Sequence, residues 1–303
     1  MRKLPNFIFA GAPKAGSATY HGILSTHPEI YLPVEKELLF FNIDSNYEKG
    51  IEWYESFFEK AKNEKVLGEC TPAYLYLHDN ISRLTDALGF DIKILFSFRN
   101  PIDRAYSDFL HKQRRGLIKS PDFLSAIQDE LNYNETNASR GYHYNFIERG
   151  YYSKYLKVFF ENFPRENMLL TVFEDEFLNQ KEKTFEKILE FLEVSKGHIE
   201  LNLHRNKAHI PKFKKISELV NTESSVRGIF KKMIPFPNLR KKLRFGLNNL
   251  NASNIKPPKL NETLRAELSD KYFKEEIKVF EEMIDRDLSS WAHEKPSPSL
   301  NGS

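Results

Sequence analysis

The sequence predicts an α/β fold in which a central parallel sheet is flanked by helices, and three observations predict it. Apolar runs of strand length recur at residues 7–9, 66–69, 92–98 and 168–173. Between them lie longer stretches with apolar residues at helical spacing, so strands and helices alternate along the chain, the pattern of a parallel sheet covered on both faces. No internal repeat at solenoid periods competes with that reading. At 303 residues with 40% hydrophobic residues, the chain can bury a full core.

The first run, 7–9, feeds a small-residue turn, Gly11-Ala12-Pro13-Lys14-Ala15-Gly16, and Ser17 opens a helix expected to stop near Ser25-Thr26-His27-Pro28. Residues 50–62 carry Ile51, Tyr54, Phe57, Phe58 and Ala61 at helical spacing. The run 66–69 ends at Thr71-Pro72, and the run 92–98 ends at Arg99-Asn100-Pro101. A helix over 101–115 follows, with Pro101 in its first turn, where the missing N–H costs nothing. Further helices are expected at 122–131, 148–163, 181–192 and 260–288, the last ending at Trp291. Ligands of such folds gather at the carboxyl ends of the strands, which puts Lys14, Glu69 or Thr71, and Arg99 along one edge.

Composition bounds the partners. A net charge of +3 and a pI near 8.6 give no argument for nucleic acid, and none is expected as a partner. Cys70, the single cysteine, cannot form an internal disulfide, which favours a reducing compartment and a cytoplasmic location. No stretch approaches the roughly 18 uninterrupted apolar residues of a membrane span. The expected layout is one domain over 1–294, with a basic, Pro-broken and partly irregular region at 205–258 on the cofactor or acceptor side. A polar Pro/Ser tail at 295–303 has nothing to bury and is expected to be disordered. Within 227–244 lysines and arginines gather with no acid among them, which admits solvated helix faces, an anionic acceptor groove or a membrane-surface contact.

The opening loop is built for an anion. Loop glycines let backbone N–H groups approach an oxyanion, the helix N-terminus adds partial positive charge, and Lys14 adds a full one. It is not the NTPase P-loop: the lysine precedes the second glycine, as G-x-x-K-x-G-S. Arg99 at a strand end and Ser107 in the next helix offer a charged fork and a hydroxyl for one further phosphate. No carboxylate or histidine cluster has metal-ligand spacing.

Together these residues resemble the PAPS-dependent sulfotransferases (PAPS is 3'-phosphoadenosine 5'-phosphosulfate), and most closely the branch with heparan sulfate and bacterial enzymes. GAPKAGSATY looks like their 5'-phosphosulfate loop, and FSFRNPIDRAYSDF looks like their 3'-phosphate motif, R-[ND]-P-x-x-R-x-x-S. Between the two motifs HPEI, KELLFF and GECTPAYLY are similar to linking blocks of that branch, and RGYYSKYLKVFFENFP, LLTVFEDEF, the helix ending in FLEV and RDLSSW look like its later landmarks, so the likeness covers roughly residues 5–291.

The resemblance implies a P-loop NTPase-like sulfotransferase fold and transfer of a sulfuryl group from PAPS, leaving PAP, to a hydroxyl or an amine of a small-molecule or carbohydrate acceptor. It implies that Lys14 neutralises charge on the departing phosphate oxygen, and that the loop from Lys14 through Ala15, Gly16, Ser17, Ala18 and Thr19 lines the 5'-phosphate. Arg99 and Ser107 would bind the 3'-phosphate, Arg205 and Lys207 would reach it from a closing loop, and Glu37 would be the general base. In-line sulfuryl transfer asks for positioning and charge stabilisation and needs no metal.

This chain departs from the pattern at two places. Ala18 replaces a hydroxyl residue of the loop, and Glu69-Cys70 stands where the glycan enzymes have Glu-Lys, which weakens the case for a highly anionic acceptor. His21, His78 and His111 are alternative bases by location, and Cys70 reads as a small packed residue. Two other functions remain to be separated: a small-molecule kinase of P-loop type, against which the missing GK[ST] counts, and a non-catalytic nucleotide-binding or membrane-surface adaptor that keeps the fold.

Overall fold

The computed structural model describes residues 3–132, 144–197, 199–203 and 258–291. Five strands, β1 (Phe7–Gly11), β2 (Ile30–Tyr31), β3 (Val66–Cys70), β4 (Lys93–Phe98) and β5 (Met168–Val172), form a sheet in the order β2-β3-β1-β4-β5. Every pairing is parallel, with Phe7 opposite both Gly68 and Lys93, and Ile94 opposite Met168.

Strand side chains alternate between two cores, as the pleat dictates. Phe7 and Phe9 point to one layer, where α1 (Ser17–Leu24) and α8 (Lys181–Phe191) supply Tyr20, Ile23, Phe185 and Ile188. Ile8 and Ala10 point to the other, larger layer. There α3 (Ile51–Glu55), α4 (Ile81–Leu88), α5 (Pro101–Arg114), α7 (Tyr152–Asn162) and α9 (Glu262–Ile284) contribute Tyr54, Leu84, Ile102, Phe159 and Phe280. Two short helices, α2 (Asp44–Tyr47) and α6 (Phe123–Leu131), complete the set described.

Most expected elements appear, with shorter bounds. The helical pattern over 50–62 is α3 followed by a 3₁₀ turn, Ser56–Phe58, because the chain must tighten and reverse to enter β3. The pattern over 148–163 begins in earnest at Tyr152, after a 3₁₀ turn at Glu148–Gly150. The last helix runs from a genuine cap, Asn261 Oδ1 accepting the Leu264 N–H at 3.1 Å, to Asp285, whose φ of 52° ends it before a 3₁₀ turn at Ser289–Trp291. The two-residue edge strand β2 was not expected as a strand; it is too short to show a period. The basic region 205–258 and the tail 295–303 lie, apart from Pro258, outside the described residues.

Candidate active site

The site forms where β1 and β4, neighbours in the sheet, run out into loops. After β1 the chain turns through Lys14, at φ 74°, and Gly16, at φ 87°, the residue that precedes α1. Gly16 adopts the left-handed region without cost, and its missing Cβ would otherwise press on the Phe173 ring at 3.0 Å. The amides of Gly16, Ser17 and Ala18 lie at the mouth of α1, where first-turn N–H groups have no acceptor within the helix. Ala15 is fully buried, so only its backbone can serve a ligand; Ser17 is nearly buried, and Ala18 and Thr19 are partly exposed.

Lys14 is partly buried, and its ammonium is pushed down to about 8. Burial is the largest cause; Arg114 and Arg99 add to it, while Asp108 and Glu37 oppose it. The loop lysine therefore lies within electrostatic reach of both Arg99 and Glu37. Asp108 itself is held down to about 2: burial opposes ionisation, but Lys112, 2.8 Å away, and Arg104 outweigh it.

Arg99 leaves β4 and turns back over the loop. Its Nη1 donates to the Lys14 carbonyl at 3.2 Å, and its guanidinium lies over the Phe173 ring at 5.3 Å. Asn100 caps α5, its side-chain oxygen accepting from the Ile102 and Asp103 amides at 3.1 and 3.4 Å. Ser107 is partly exposed on that helix. The second motif arginine, Arg104, is fully buried and donates to the Phe146 carbonyl, a packing role.

Glu37 lies on the segment between β2 and α2. It is exposed, at φ 64°, with Leu39 at 56°, so the segment carrying it is bent through two left-handed residues that are not glycine. The Glu37 amide donates to the Cys70 carbonyl at 3.2 Å, and Lys36 Nζ reaches Glu37 Oε1 at 2.8 Å. A cation is thus present beside Glu37 even though position 70 is a cysteine. Glu35 is exposed on the same segment.

Glu69 does not face the site, contrary to its expected place on the sheet edge. It is 1% exposed, and its carboxyl accepts from Tyr54, Thr71 and Tyr74 hydroxyls, the last two at 2.6 and 2.8 Å. Tyr74 in turn accepts the Phe40 amide at 3.0 Å. Burial raises the Glu69 carboxyl to about 7, against the pull of the three hydroxyl donors.

The three candidate histidines each face a partner. His111 Nδ1 faces the Arg114 guanidinium at 3.1 Å, which can only donate, so its lone pair there is occupied. Burial first, then Lys14, Arg115 and Arg114, hold it down to about 2. His21 is buried with Nε2 3.0 Å from the Pro33 carbonyl, and His78 is exposed beside Asp79. Cys70 is a buried free thiol pushed up to about 12, chiefly by burial, which fits a packed residue. Arg205 and Lys207 lie outside the described residues. Among the described residues no group of three or more His, Cys, Asp or Glu is placed to hold a metal ion.

Sequence reasoning missed Asp108, Lys36 and Glu174. The Asp108/Lys112 spacing of i, i+4 was legible as a pair, but only the packing of α5 puts it beside Lys14.

A five-stranded parallel sheet with a glycine-containing loop at the carboxyl end of its central strand defines an α/β protein of P-loop NTPase-like fold. The sulfotransferase domain family matches residues 4–241, and the chain belongs to that family. It is 37% identical over 109 residues to the membrane-associated sulfotransferase kil1 of Dictyostelium discoideum, covering 35% of this chain and 22% of that protein. Against human heparan sulfate glucosamine 3-O-sulfotransferase 3B1 it is 29% identical over 168 residues, 55% of this chain and 41% of the relative. The matches thus span less than half the length of these curated relatives. A sulfotransferase structure from Alicyclobacillus acidocaldarius superposes with a TM-score of 0.67 at 23% identity, covering 95% of this chain and 98% of the other, a likeness of fold.

Proposed function

We propose that the chain transfers the sulfuryl group of PAPS to a hydroxyl, or an amine, of a small-molecule or carbohydrate acceptor. The observation that carries the reading is the bond from Arg99 Nη1 to the Lys14 carbonyl, which joins the two phosphate motifs into one surface. Gly16, Ser17 and Ala18 amides and the Thr19 hydroxyl hold the 5'-phosphate, while Arg99 and Ser107 hold the 3'-phosphate. Arg205 and Lys207 belong to the same proposal through the family resemblance.

In the reaction Glu37 takes the proton of the acceptor O–H or N–H. The acceptor atom forms a bond to sulfur as the bond from sulfur to the bridging phosphate oxygen breaks, and that oxygen leaves with the electron pair, as part of PAP. Lys14 stabilises the charge that develops on it. Lys36 takes one Glu37 oxygen and leaves the other for the acceptor. His111, whose Nδ1 lone pair faces Arg114 and whose basicity is lowered chiefly by burial, supports Glu37 over that histidine as base. Lys36 beside Glu37 also restores a cation near the reacting groups, so an anionic sugar stays within the acceptor class. A membrane-surface contact by 227–244 remains part of the proposal's acceptor side; among the described residues no helix is long and apolar enough to cross a membrane. The buried, unbridged Cys70 fits a cytoplasmic location.

An acceptor screen with radiolabelled PAPS, paired with thermal-shift titrations of PAP and ATP, tests this. Label transfer and stabilisation by PAP over ATP are expected. Preference for ATP would make the chain a kinase, and PAP binding without transfer to any acceptor would make it an adaptor.

A further inference from the structure

Resting on the PAPS reading above, we propose that Glu174 is a positioning residue for the 3'-phosphate arginine, Arg99, and that through Trp291 it ties 3'-phosphate recognition to the docking of the C-terminal 3₁₀ turn. Glu174 lies in the π-helical segment Phe173–Asn179 directly after β5, the strand next to the one that delivers Arg99. Such segments are rare and recur at functional sites.

The peptide joining Arg99 to Asn100 is gripped on both sides. Its carbonyl accepts the Tyr152 hydroxyl at 2.8 Å, and its N–H donates to Glu174 Oε1 at 3.1 Å. The same carboxylate oxygen stands 4.0 Å from Arg99 Nε, an atom that is buried and makes no hydrogen bond. At that distance the carboxylate orients the guanidinium electrostatically without consuming one of its N–H donors. Phe173, the neighbour of Glu174, supplies the ring beneath Arg99. The fork is thereby pre-organised for a bidentate oxyanion.

The other carboxylate oxygen reaches away from the site. Glu174 Oε2 accepts the Trp291 indole N–H at 3.1 Å, and the Trp291 carbonyl accepts from Asn100 Nδ2 at 3.0 Å. Trp291 is 1% exposed and stacks on Phe280 of α9. Glu174, Asn100 and Trp291 therefore close a ring of hydrogen bonds that begins at the arginine's own peptide and ends at the last turn of the described chain.

Two effects of this carboxylate oppose each other, which makes the proposal testable. As a nearby negative charge, Glu174 repels a phosphate, so its removal by charge alone would tighten binding. As a positioning group, its removal loosens Arg99 and weakens binding of the 3'-phosphate only. The experiment is calorimetric titration of the full chain with PAP and with adenosine 5'-phosphate, which lacks the 3'-phosphate. For Glu174→Ala, PAP affinity is expected to fall about tenfold or more, the scale of one charge-assisted contact, with adenosine 5'-phosphate affinity unchanged. Trp291→Phe keeps the ring and removes the N–H donor, and it should move the PAP to adenosine 5'-phosphate ratio the same way by a few fold. A folded variant with an unchanged or increased ratio overturns the proposal; if Glu174→Ala does not fold, the Trp291→Phe ratio decides alone. A wild-type chain that fails to prefer PAP would instead sink the PAPS reading itself.

Discussion

The halves of the site that the proposed reaction assigns to donor and acceptor are held together by different means. On the donor side, Lys14 and Arg99 follow directly from adjacent parallel strands, and turn, cap and dipole chemistry within a few residues shapes each loop. On the acceptor side, Glu37 rides on a segment without regular structure, fixed by bonds from distant parts of the chain: its amide to Cys70, and Phe40 through Tyr74 to Glu69. On the proposed reading, affinity for the donor is encoded locally, whereas placement of Glu37 is a tertiary property. Substitutions should fail differently: Arg99 in donor binding, Glu37 in turnover, and Lys14 in turnover too, because its proposed charge serves the leaving oxygen.

The largest effect is expected at the base. Glu37→Gln should lower kcat by about 10²–10⁴, the range of a lost general base, with PAP affinity unchanged. Full activity in steady-state assays would move the base elsewhere. Lys14→Ala should lower kcat by about 10²–10³, as loss of one stabilising donor does, and near-normal turnover would end its leaving-group role. Arg99→Ala belongs to the binding side: PAP affinity should fall by roughly 10- to 150-fold, equivalent to about 1.5–3 kcal/mol. Unchanged calorimetric affinity would remove Arg99 from the 3'-phosphate.

Lys14 sharpens the comparison through pH. Its ammonium, lowered by burial to about 8, is the charged form the reaction uses, so kcat/KM for PAPS should fall as pH rises past about 8. Lys14→Arg stays charged and should lose that limb, while Glu37→Gln should keep it. A wild-type profile flat up to about pH 10 would contradict the assignment.

The same contrast explains what the sequence disclosed. The sheet was legible because its apolar runs lie between helical patterns, and the two phosphate motifs because their physics is local: Gly16 for a left-handed turn, Pro101 and Asn100 for a helix start. Glu69 was misplaced because position at a strand's carboxyl end says nothing about which face its side chain takes; Tyr54, fifteen residues earlier, draws it inward. Glu174 and Trp291, separated by 117 residues, had no local signal at all. Lys36 was visible beside Glu37, but its pairing depends on the left-handed bend that follows.

One further prediction tests the tertiary side directly, through stability rather than activity. Glu69 has a folded-state carboxyl raised from 4.5 to about 7 by burial, so between those values the folded chain keeps a proton that the unfolded chain has released. Stability from this group is fully present below about 4.5 and is lost as pH rises through about 7, a change of roughly 3 kcal/mol for a shift of that size. Glu69→Gln keeps the shape and never ionises. Thermal melts of both chains across this window should show the variant gaining on the wild type as pH rises, because other titrating groups cancel in the difference. A difference in Tm that does not change with pH would mean that Glu69 is ionised throughout, with Tyr54, Thr71 and Tyr74 serving a permanent carboxylate. The acceptor half would then be anchored by a fixed charge, and its tie to Phe40 should be as insensitive to pH as the bond between Arg99 and the Lys14 carbonyl.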